Sequence, residues 1–395
     1  MSKWQECKLG DVVITNSKSI DRNYSFETIL YLDTGSITEG KIESFQEISL
    51  KDAPSRAKRL AKPNDIVYST VRPIQRHYGI LKSPQPNLVV STGFTVIEAN
   101  QNFAHPEFIY YLLSSDESVE YLDVIAEAST STYPSLKPSD IENLDISLPP
   151  LEEQKAIASV LSSLDDKIDL LHRQNTTLER MAETLFRQWF VEEAQVDWEE
   201  YKVSDFAEHL KHGVNPAQNP FIEYHHYSLP AFDESRRPVI ELGSQILSNK
   251  YSVLENTILV SKLNPRFPRI WAIQSLPSAN SVCSTEFQVF KPKQDNLYAY
   301  LYFLFGSSQA KDALEMAASG TSGSHQRVKP EDMLNIITQL PSIGRAIEFS
   351  EITQPYIDKI TANRKQIQTL EKIRDNLLPK LMSGEVPVDL ERLST

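Results

Sequence analysis

The middle of the chain carries a long heptad pattern of apolar residues, between Pro149 and Phe190. Its positions are spaced alternately by four and three residues, with Asn175 as the single polar residue among them: Ile157, Leu161, Leu164, Ile168, Leu171, Asn175, Leu178, Ala182, Leu185 and Trp189. Such spacing is typical of a helix that packs lengthwise on another helix. We therefore predict one helix here, and at about 1.5 Å per residue it would be roughly 60 Å long. A long core helix within a single large domain is the alternative.

The pattern occurs a second time, 192 residues later. This offset carries the triplet Asp-Lys-Ile at 166–168 onto the same triplet at 358–360, and Lys-Pro at 137–138 onto Lys-Pro at 329–330. The second seam again includes one Asn: Tyr356, Ile360, Asn363, Ile367, Leu370, Leu377 and Leu381. A constant offset near half the length of the chain indicates one unit present twice. Each unit is predicted to be a globular part followed by a long helix.

Shorter patterns in each globular part predict strands mixed with helices, and hence two tandem copies of a small α/β (α+β) fold. In the first copy the predicted strands are 66–70, 92–98 and 145–148, and the predicted helices are 106–113 and 117–126. In the second copy they are strands 258–260 and 285–290 and helix 297–305. The second long helix is predicted over roughly 343–381, with Pro355 and Pro379 near its ends. Its start lacks the acidic residues of the first helix, so we expect it to begin later or to fray.

Two helices with apolar seams in one chain pack most simply on each other. Because the globular part between them returns the chain, the pair is predicted to be antiparallel, with Asn175 and Asn363 fixing its register. Polar residues that are merely tolerated are the alternative. The predicted core of the pair consists of Leu161, Leu164, Ile168, Leu171, Asn175, Leu178, Leu185, Ile360, Asn363, Ile367, Leu370 and Leu377. Such a pair relates the globular parts by an approximate twofold axis, a geometry suited to two half-sites on a duplex.

Composition and charge narrow the class of protein. The 395 residues are 40% hydrophobic and 24% charged, enough for two ordinary domains. Two distant cysteines, Cys7 and Cys283, give no disulfide framework and are typical of a cytoplasmic protein. No apolar run approaches the length of a membrane span, so no membrane partner is predicted. The net charge of −13 argues against a basic surface overall, yet 51–82 and 262–293 are basic stretches in equivalent places of the two copies.

No group of residues predicts an active site. None of the 12 glycines forms the Gly-x-Gly turn that a methyltransferase would need for its cofactor. Asn-Pro-Phe at 219–221 lacks one proline of the adenine methyltransferase motif Asn-Pro-Pro-Phe. The histidines at 209, 212, 225 and 226 are not joined by cysteines or regularly spaced carboxylates, so no metal site is predicted.

Two segments of the helical regions resemble a known family. Leu-Pro-Pro-Leu-Glu-Glu-Gln-Lys-Ala-Ile at 148–157 and Leu-Leu-Pro-Lys-Leu-Met-Ser-Gly-Glu at 377–385, together with the repeated unit, are similar to the specificity subunit of type I restriction–modification systems. The resemblance covers the whole chain and is weaker in the globular parts. It implies two target-recognition domains, 1–148 and 196–340, each reading half of a bipartite DNA site. It also implies two helical spacers, 149–195 and 341–385, and a tail, 386–395.

The same resemblance implies partners and places all cofactors in them. The partners are double-stranded DNA, two methyltransferase subunits that hold S-adenosylmethionine, and restriction subunits that use ATP and Mg and attach through the methyltransferases. The chain itself would be a non-catalytic subunit with no cofactor. Two alternatives remain: a coiled-coil scaffold that binds only protein, and a standalone enzyme that modifies DNA.

The candidate DNA contacts lie in basic and hydroxyl-rich loops at equivalent places of the two copies. Arg pairs with guanine and Asn with adenine, Lys mostly contacts phosphate, and small residues let the backbone approach phosphate. In the first copy the candidates are Lys58, Arg59, Lys62, Arg72, Arg76, His77, Thr130, Thr132, Tyr133 and Lys137. In the second they are Lys262, Asn264, Arg266, Arg269, Thr321, Ser322, Ser324, His325, Gln326, Arg327 and Lys329. For any single candidate, an ordinary solvated side chain is the alternative.

Overall fold

A computed structural model describes residues 4–129, 134–318 and 326–388. The chain divides into two compact units: the first extends to Asp169 and resumes at Ile367, and the second runs from Leu170 to Gln366. Each unit therefore contains a globular head and one stretch of each long helix. Within the described part of the chain, no helix is both long and apolar enough to cross a membrane.

The head of the first unit contains twelve strands and three α-helices within its described residues. They are β1 (Gln5–Lys8), β2 (Val13–Thr15), β3 (Thr28–Leu32), β4 (Ile37–Thr38), β5 (Lys41–Ile42), β6 (Gln46–Ser49), β7 (Ala57–Leu60), β8 (Asp65–Ser69), β9 (Tyr78–Leu81), β10 (Leu88–Ser91), β11 (Phe94–Ala99), α1 (Pro106–Ser114), α2 (Asp116–Glu127), α3 (Pro138–Glu142) and β12 (Asp145–Leu148). The first long helix, α4 (Leu151–Arg187), follows and ends in a π-helical turn, Gln188–Glu192.

The head of the second unit repeats this order with some insertions. Its elements are β13 (Glu199–Lys202), α5 (Val203–Phe206), β14 (Ala207–Leu210), β15 (Gly213–Val214), β16 (Glu223–Tyr227), α6 (Leu229–Glu234), β17 (Val239–Leu242), β18 (Lys250–Ser252), β19 (Thr257–Ser261), β20 (Ile270–Ile273), β21 (Ser281–Ser284), β22 (Phe287–Pro292), α7 (Tyr298–Gly306), α8 (Ser308–Ala317), α9 (Pro330–Leu334) and β23 (Ile337–Leu340). The second long helix is α10 (Ile343–Met382).

Each head is built around two larger sheets with α-helices on one side, and the first head adds the two-stranded β4–β5 pair. In the first head the sheets have the orders β6-β3-β10-β7 and β2-β11-β8-β9. In the second head they are β15-β18-β21-β16-β17 and β14-β22-β19-β20. Pairing in these sheets is antiparallel except between β3 and β10 and between β16 and β21. The mostly antiparallel sheets make each head an α+β fold.

The hydrophobic core of each head is formed by the apolar side chains of its central strands. In the first head, Val67, Val90 and Phe94 pack between the two sheets, and Trp271, Cys283 and Phe287 do so in the second. Burial raises the pKa of the Cys283 thiol to about 12. On the other side of β8 and β11, or of β19 and β22, the helices of the head pack together with the long helices.

A short strand pair joins the beginning and end of each head directly before the long helix. β1 pairs antiparallel with β12, so that Gln5 faces Leu148. β13 pairs with β23 in the same way, and Glu199 faces Leu340. The chain therefore enters and leaves each head at the same place. Because both heads share this strand pair, the repeat seen in the sequence is also present in the structure.

Within each unit, α4 and α10 run antiparallel. In the first unit, Arg374 Nη1 donates to Asp165 Oδ1 at 3.0 Å, and Leu381 shares a buried cluster with Ile157. In the second unit, Asn363 Nδ2 donates to Asn175 Oδ1 at 2.8 Å. Towards the end of α4 its partners lie earlier in α10, as an antiparallel pair requires. There the centroids of the Phe186 and Phe349 rings lie 5.5 Å apart.

The residues predicted as the core of the helix pair are buried to different degrees. Leu161, Ile168, Leu171, Asn175, Ile360, Asn363 and Ile367 are buried. Leu164, Leu178, Leu185, Leu370 and Leu377 are half-buried. Near the end of α4 the buried positions shift by one residue from Leu185 and Trp189 to Phe186 and Phe190. The reason is an aromatic cluster in which both phenylalanines contact Tyr300 and Phe349 of the second unit.

Two expectations about the second long helix were wrong. α10 begins at Ile343, which is 192 residues after the start of α4, so it does not begin later. Arg345 secures this first turn, because its guanidinium lies 3.4 Å from the Trp189 ring and pairs with Glu348 at 2.8 Å. Pro355 lies inside the helix rather than near its end. Because proline has no N–H, the Glu351 carbonyl loses the helical hydrogen bond it would otherwise accept.

Candidate nucleic-acid interface

Two loops of the first unit that were predicted separately lie side by side. Val71, after β8, forms an antiparallel bridge with Ser135, which follows α2 in the chain. On either side of the bridge, the Leu136 N–H donates to the Thr70 carbonyl at 2.7 Å, and the Arg72 N–H donates to the Pro134 carbonyl at 3.3 Å. We call residues 70–77 and 134–137 the paired loops of the first unit.

The second unit contains the same pairing. Leu263 bridges to Arg327. The Val328 N–H donates to the Lys262 carbonyl at 3.0 Å, and the Asn264 N–H donates to the Gln326 carbonyl at 2.9 Å. Every one of these partners lies 192 residues after its counterpart in the first unit. Residues 262–269 and 326–329 are the paired loops of the second unit.

A serine at the end of the preceding strand shapes each loop. Ser69 Oγ accepts a hydrogen bond from the Val71 N–H at 3.2 Å and donates to the Val71 carbonyl at 3.1 Å. Ser261 Oγ makes the same two bonds with Leu263, both at 3.1 Å. These serines were not among the predicted site residues, although their 192-residue offset is visible in the sequence. They hold the loop by local side-chain-to-backbone bonds, as serines commonly do at turns.

Several of the predicted cations are held by carboxylates. Arg76 Nη2 donates to Asp116 Oδ1 at 2.6 Å. Burial lowers the pKa of Arg76, but hydrogen bonds with Asp116 and Tyr78 outweigh it, so the pKa is raised overall. Arg269 forms a two-pronged pair with Asp233 at 2.6 and 2.8 Å, and the Asp233 hydrogen bond raises its pKa.

Two more predicted cations lie in ion pairs. Arg327 contacts both carboxylate oxygens of Glu286, at 3.2 and 3.3 Å. Lys62 Nζ donates to Glu98 Oε1 at 2.6 Å, and this bond with Lys62 is the first of the causes that lower the pKa of Glu98. These side chains would have to leave a carboxylate before they could contact DNA.

The remaining cations of the loops are open to solvent. Arg72 and Lys137 are exposed in the first unit, and Arg266 and Lys329 are exposed in the second. Lys262 is half-buried, and Arg266 lies 5.9 Å from the Phe267 ring centroid. Among the residues that the structure describes, none of these five forms an ion pair with a carboxylate within 4.0 Å. They are the positive charges that each pair of loops offers to an anionic ligand.

Other predicted residues lie at the side of the loops or face the protein. Lys58 is exposed on β7, whereas its neighbour Arg59 is half-buried and burial lowers its pKa. His77 Nδ1 donates to the Ile37 carbonyl at 2.7 Å and so faces its own head. Gln326 is half-buried. The remaining candidates lie outside the described residues: Thr130, Thr132, Tyr133, Thr321, Ser322, Ser324 and His325.

The described residues contain no group of three or more His, Cys, Asp or Glu side chains that could hold a metal ion. Of the four histidines considered above, His226 Nδ1 is hydrogen-bonded to Glu241 Oε2 at 2.5 Å, and burial lowers its pKa. His209 Nε2 lies 3.0 Å from Gln288 Oε1. With no such metal group among the described residues, what the paired loops offer a ligand is exposed cations and amides on a backbone held by hydrogen bonds.

Comparison with known proteins gives one consistent result. The family model described as the type I restriction modification DNA specificity domain matches residues 1–180 and 195–372. The specificity subunit of the type I restriction enzyme HindI from Haemophilus influenzae is 38% identical over 192 residues, which are 49% of this chain and 42% of that protein. The MjaIX specificity subunit from Methanocaldococcus jannaschii is 27% identical over 96% of this chain and 88% of that protein.

A solved structure shares the fold over nearly the whole length. The S subunit of a type I restriction–modification system from M. genitalium has a TM-score of 0.61 to this chain, with 14% identity and 96% of each chain covered. At this identity the likeness concerns the fold alone. It extends over both heads and both long helices.

Proposed function

This chain belongs to the type I restriction modification DNA specificity family, and from that membership we propose that it selects the DNA sequence on which a type I restriction–modification complex acts. The heads, 1–148 and 196–340, each read one half of a bipartite, asymmetric site. The helical regions, 149–195 and 341–385, set the spacing of the two halves and bind the methyltransferase subunits. Residues 386–395 are a tail.

The observation that carries this proposal is the repetition of the paired loops. A scaffold that binds only protein has no need for exposed cations at equivalent places of two heads, on backbones held by the same hydrogen bonds. A duplex presents phosphates and base edges at both half-sites, so a repeated cationic loop suits it. The net charge of −13 argues against contact spread over the whole surface and favours local cationic patches of this kind.

The chemistry belongs to partner subunits in this proposal. Two methyltransferase subunits supply S-adenosylmethionine, and restriction subunits that use ATP and Mg attach through them. The chain contributes sequence choice and spacing and is not itself an enzyme. The matched family model and the absence of a Gly-x-Gly cofactor turn in the sequence support this division of labour.

The direct test is to produce the chain with the methyltransferase subunits of its own system and to sequence the modified adenines of the host DNA. We expect one bipartite motif with an unread gap, and no methylation by the chain alone. Methylation by the purified chain would make it an enzyme. If the complete complex forms but shows no sequence preference and no salt-dependent duplex binding, the chain is a protein scaffold.

Exchange of one head tests whether the halves are read separately. Residues 1–148, which include both strands of the β1–β12 pair, are replaced as one piece by the head of a relative, so that the chain still enters and leaves the head at one place. One half of the methylated motif is expected to change while the other half stays. A change in both halves, or in neither, contradicts the assignment of one half-site to each head.

A further inference from the structure

Arg72 and Asn264 occupy the same position in the two pairs of loops. Each backbone N–H donates across to the second loop, at 3.3 Å to the Pro134 carbonyl and at 2.9 Å to the Gln326 carbonyl. Each residue is followed by a buried proline that begins the next turn. The Arg72 carbonyl accepts from the Gln75 N–H at 2.9 Å, and the Asn264 carbonyl accepts from the Phe267 N–H at 3.0 Å. The backbone around the two positions is therefore nearly the same, and the side chains are what differ.

Both residues adopt the left-handed backbone conformation, with φ of 47° at Arg72 and 52° at Asn264. Among residues other than glycine this conformation is uncommon, and asparagine tolerates it better than arginine does. Glycine would fit either position without strain. Arg76 shares this conformation, with φ of 57°, but its side chain is held by Asp116. Arg72 is in no described ion pair, and strained residues cluster at functional sites, so the Arg72 side chain is the one left for a ligand.

The side chain of Arg72 is exposed and that of Asn264 is half-buried, whereas three other arginines of the paired loops are engaged by carboxylates. Arg76 and Arg269 are held by Asp116 and Asp233 at 2.6 Å, and Arg327 is held by Glu286 at 3.2 Å. These three fix the loops to their heads. The position shared by Arg72 and Asn264 thus projects a hydrogen-bonding group from a frame that is anchored on both sides.

The two groups have different base preferences. The guanidinium of arginine donates two parallel bonds to O6 and N7 of guanine, and the amide of asparagine both donates and accepts with N7 and N6 of adenine. We infer that Arg72 reads a G·C pair in one half-site and that Asn264 reads an A·T pair in the other, from equivalent positions. This inference rests on the proposed DNA recognition and assigns specificity to one residue in each head.

The test exchanges the two side chains one at a time in the complex with methyltransferase subunits. Arg72→Asn is expected to replace a required G·C pair by a preference for A·T at one position of one half-site. Asn264→Arg is expected to do the reverse in the other half-site. A two-bond contact discriminates against the wrong base by about 5- to 150-fold, so the change is visible in the sequenced methylation motif. If a variant changes the half-site that the other head reads, or changes both half-sites, the assignment is overturned.

Glycine variants separate reading from loop shape. Arg72→Gly and Asn264→Gly keep the left-handed backbone and remove the side-chain donors. Preference at the single read position should be lost while the rest of the motif stays. A motif left unchanged by Asn264→Gly would mean that Asn264 only shapes the turn. Arg22→Asn is the matched control, because Arg22 is exposed in the same head and lies outside the paired loops, and its motif should equal that of the wild type.

Two further measurements keep the outcomes distinct. Arg72→Lys keeps the charge but not the two-pronged geometry, so an unchanged motif in this variant would assign Arg72 to a phosphate. Where a variant methylates too little for sequencing, selection from randomised duplexes by the same complex reports its base preference. A wild-type complex without a bipartite motif refutes the proposed function itself. If the wild-type complex has such a motif and the exchange variants keep it unchanged, only the assignment of Arg72 and Asn264 is refuted.

Discussion

At the scale of single residues, the arginines of the second unit's paired loops differ in what holds them. Two nitrogens of the Arg269 guanidinium are bound by the carboxylate of Asp233, and only 22% of the Arg269 side chain is exposed. Arg266 is exposed and has an aromatic neighbour, Phe267, but is in no described ion pair. The same residue type therefore serves the fold at one position and is free for a ligand three residues earlier.

This difference predicts that the same substitution affects DNA binding at one position and stability at the other. Arg266→Gln should weaken duplex binding by the methyltransferase complex and lower the slope of log affinity against log salt by about 1, because one phosphate contact is lost. Thermal stability should stay within experimental error. Arg269→Gln should instead lower stability by less than about 1 kcal/mol, since its ion pair is partly exposed. Salt titration of duplex binding and thermal unfolding measure the two effects, and a reduced salt slope in Arg269→Gln alone would contradict the distinction.

Residue types and offsets in the sequence were enough to find the candidate loops, but not the partners of each side chain. Asp116 and Asp233 lie 40 and 36 residues from the arginines they hold. Contacts at that separation depend on how the strands and helices pack, which no local pattern records. The pairing of the two loops in each unit was missed for the same reason, because each loop was predicted from its own composition.

At the scale of elements, hydrophobic periodicity predicted both long helices well. The predicted strand 145–148 coincides with β12, and the predicted helix 106–113 is one residue shorter than α1. The pattern failed where an apolar residue packs on a head rather than along the seam. Phe186 and Phe190 are buried by Tyr300 and Phe349, so tertiary contacts decide which face of α4 is covered there. Local spacing carries no information on such contacts.

The buried pair Asn175 and Asn363 gives a prediction about helix pairing. Asn363 is 1% exposed and donates to Asn175 Oδ1 and to Gln174 Oε1, both at 2.8 Å. Asn363→Leu would leave the buried amide of Asn175 without its partner and should lower the free energy of unfolding by about 1–3 kcal/mol. Replacing both residues by leucine should recover most of this loss, because an apolar pair fits the seam at the expense of a specified register.

Denaturant unfolding of the four proteins of this double-mutant cycle measures the coupling between the two asparagines. Asn376→Leu is the matched control, since Asn376 is exposed on the same helix and its change should stay within about 0.5 kcal/mol. A double variant as unstable as Asn363→Leu would show that the loss comes from packing and not from the unmatched amide.

At the scale of the whole molecule, the chain is one unit used twice, with each long helix shared between the units. α4 belongs to the first unit up to Asp169 and to the second from Leu170, and α10 changes unit between Gln366 and Ile367. The sequence revealed the repeat because its offset is constant. It placed the boundaries at the ends of the helices, whereas the compact units divide both helices in their middle. Packing of each head on its own stretch of helix explains that division.

These dividing points are where the proposed role of the helices in spacing the two half-sites is best tested. One heptad is inserted after Asp169 and one after Gln366, which leaves the contacts within each unit untouched. Seven residues keep the apolar seam in phase and add about 10.5 Å at about 1.5 Å each. At about 3.4 Å per base pair this corresponds to roughly three base pairs. Insertions of five residues at the same points turn the seam by about 140° away from its partner, at 3.6 residues per turn, and serve as the control.

The expected result is a methylated motif with the same two half-sites and an unread gap that is longer by two to four base pairs. Three base pairs also turn the second half-site by about 100°, because about 10–10.5 pairs make one turn of the duplex. The helices or the DNA must twist to compensate, so the amount of methylation should fall even where the new spacing is used. The five-residue insertions should lower stability and give no new spacing. A folded, partner-bound heptad variant that methylates only the original spacing would show that the helices do not set the gap.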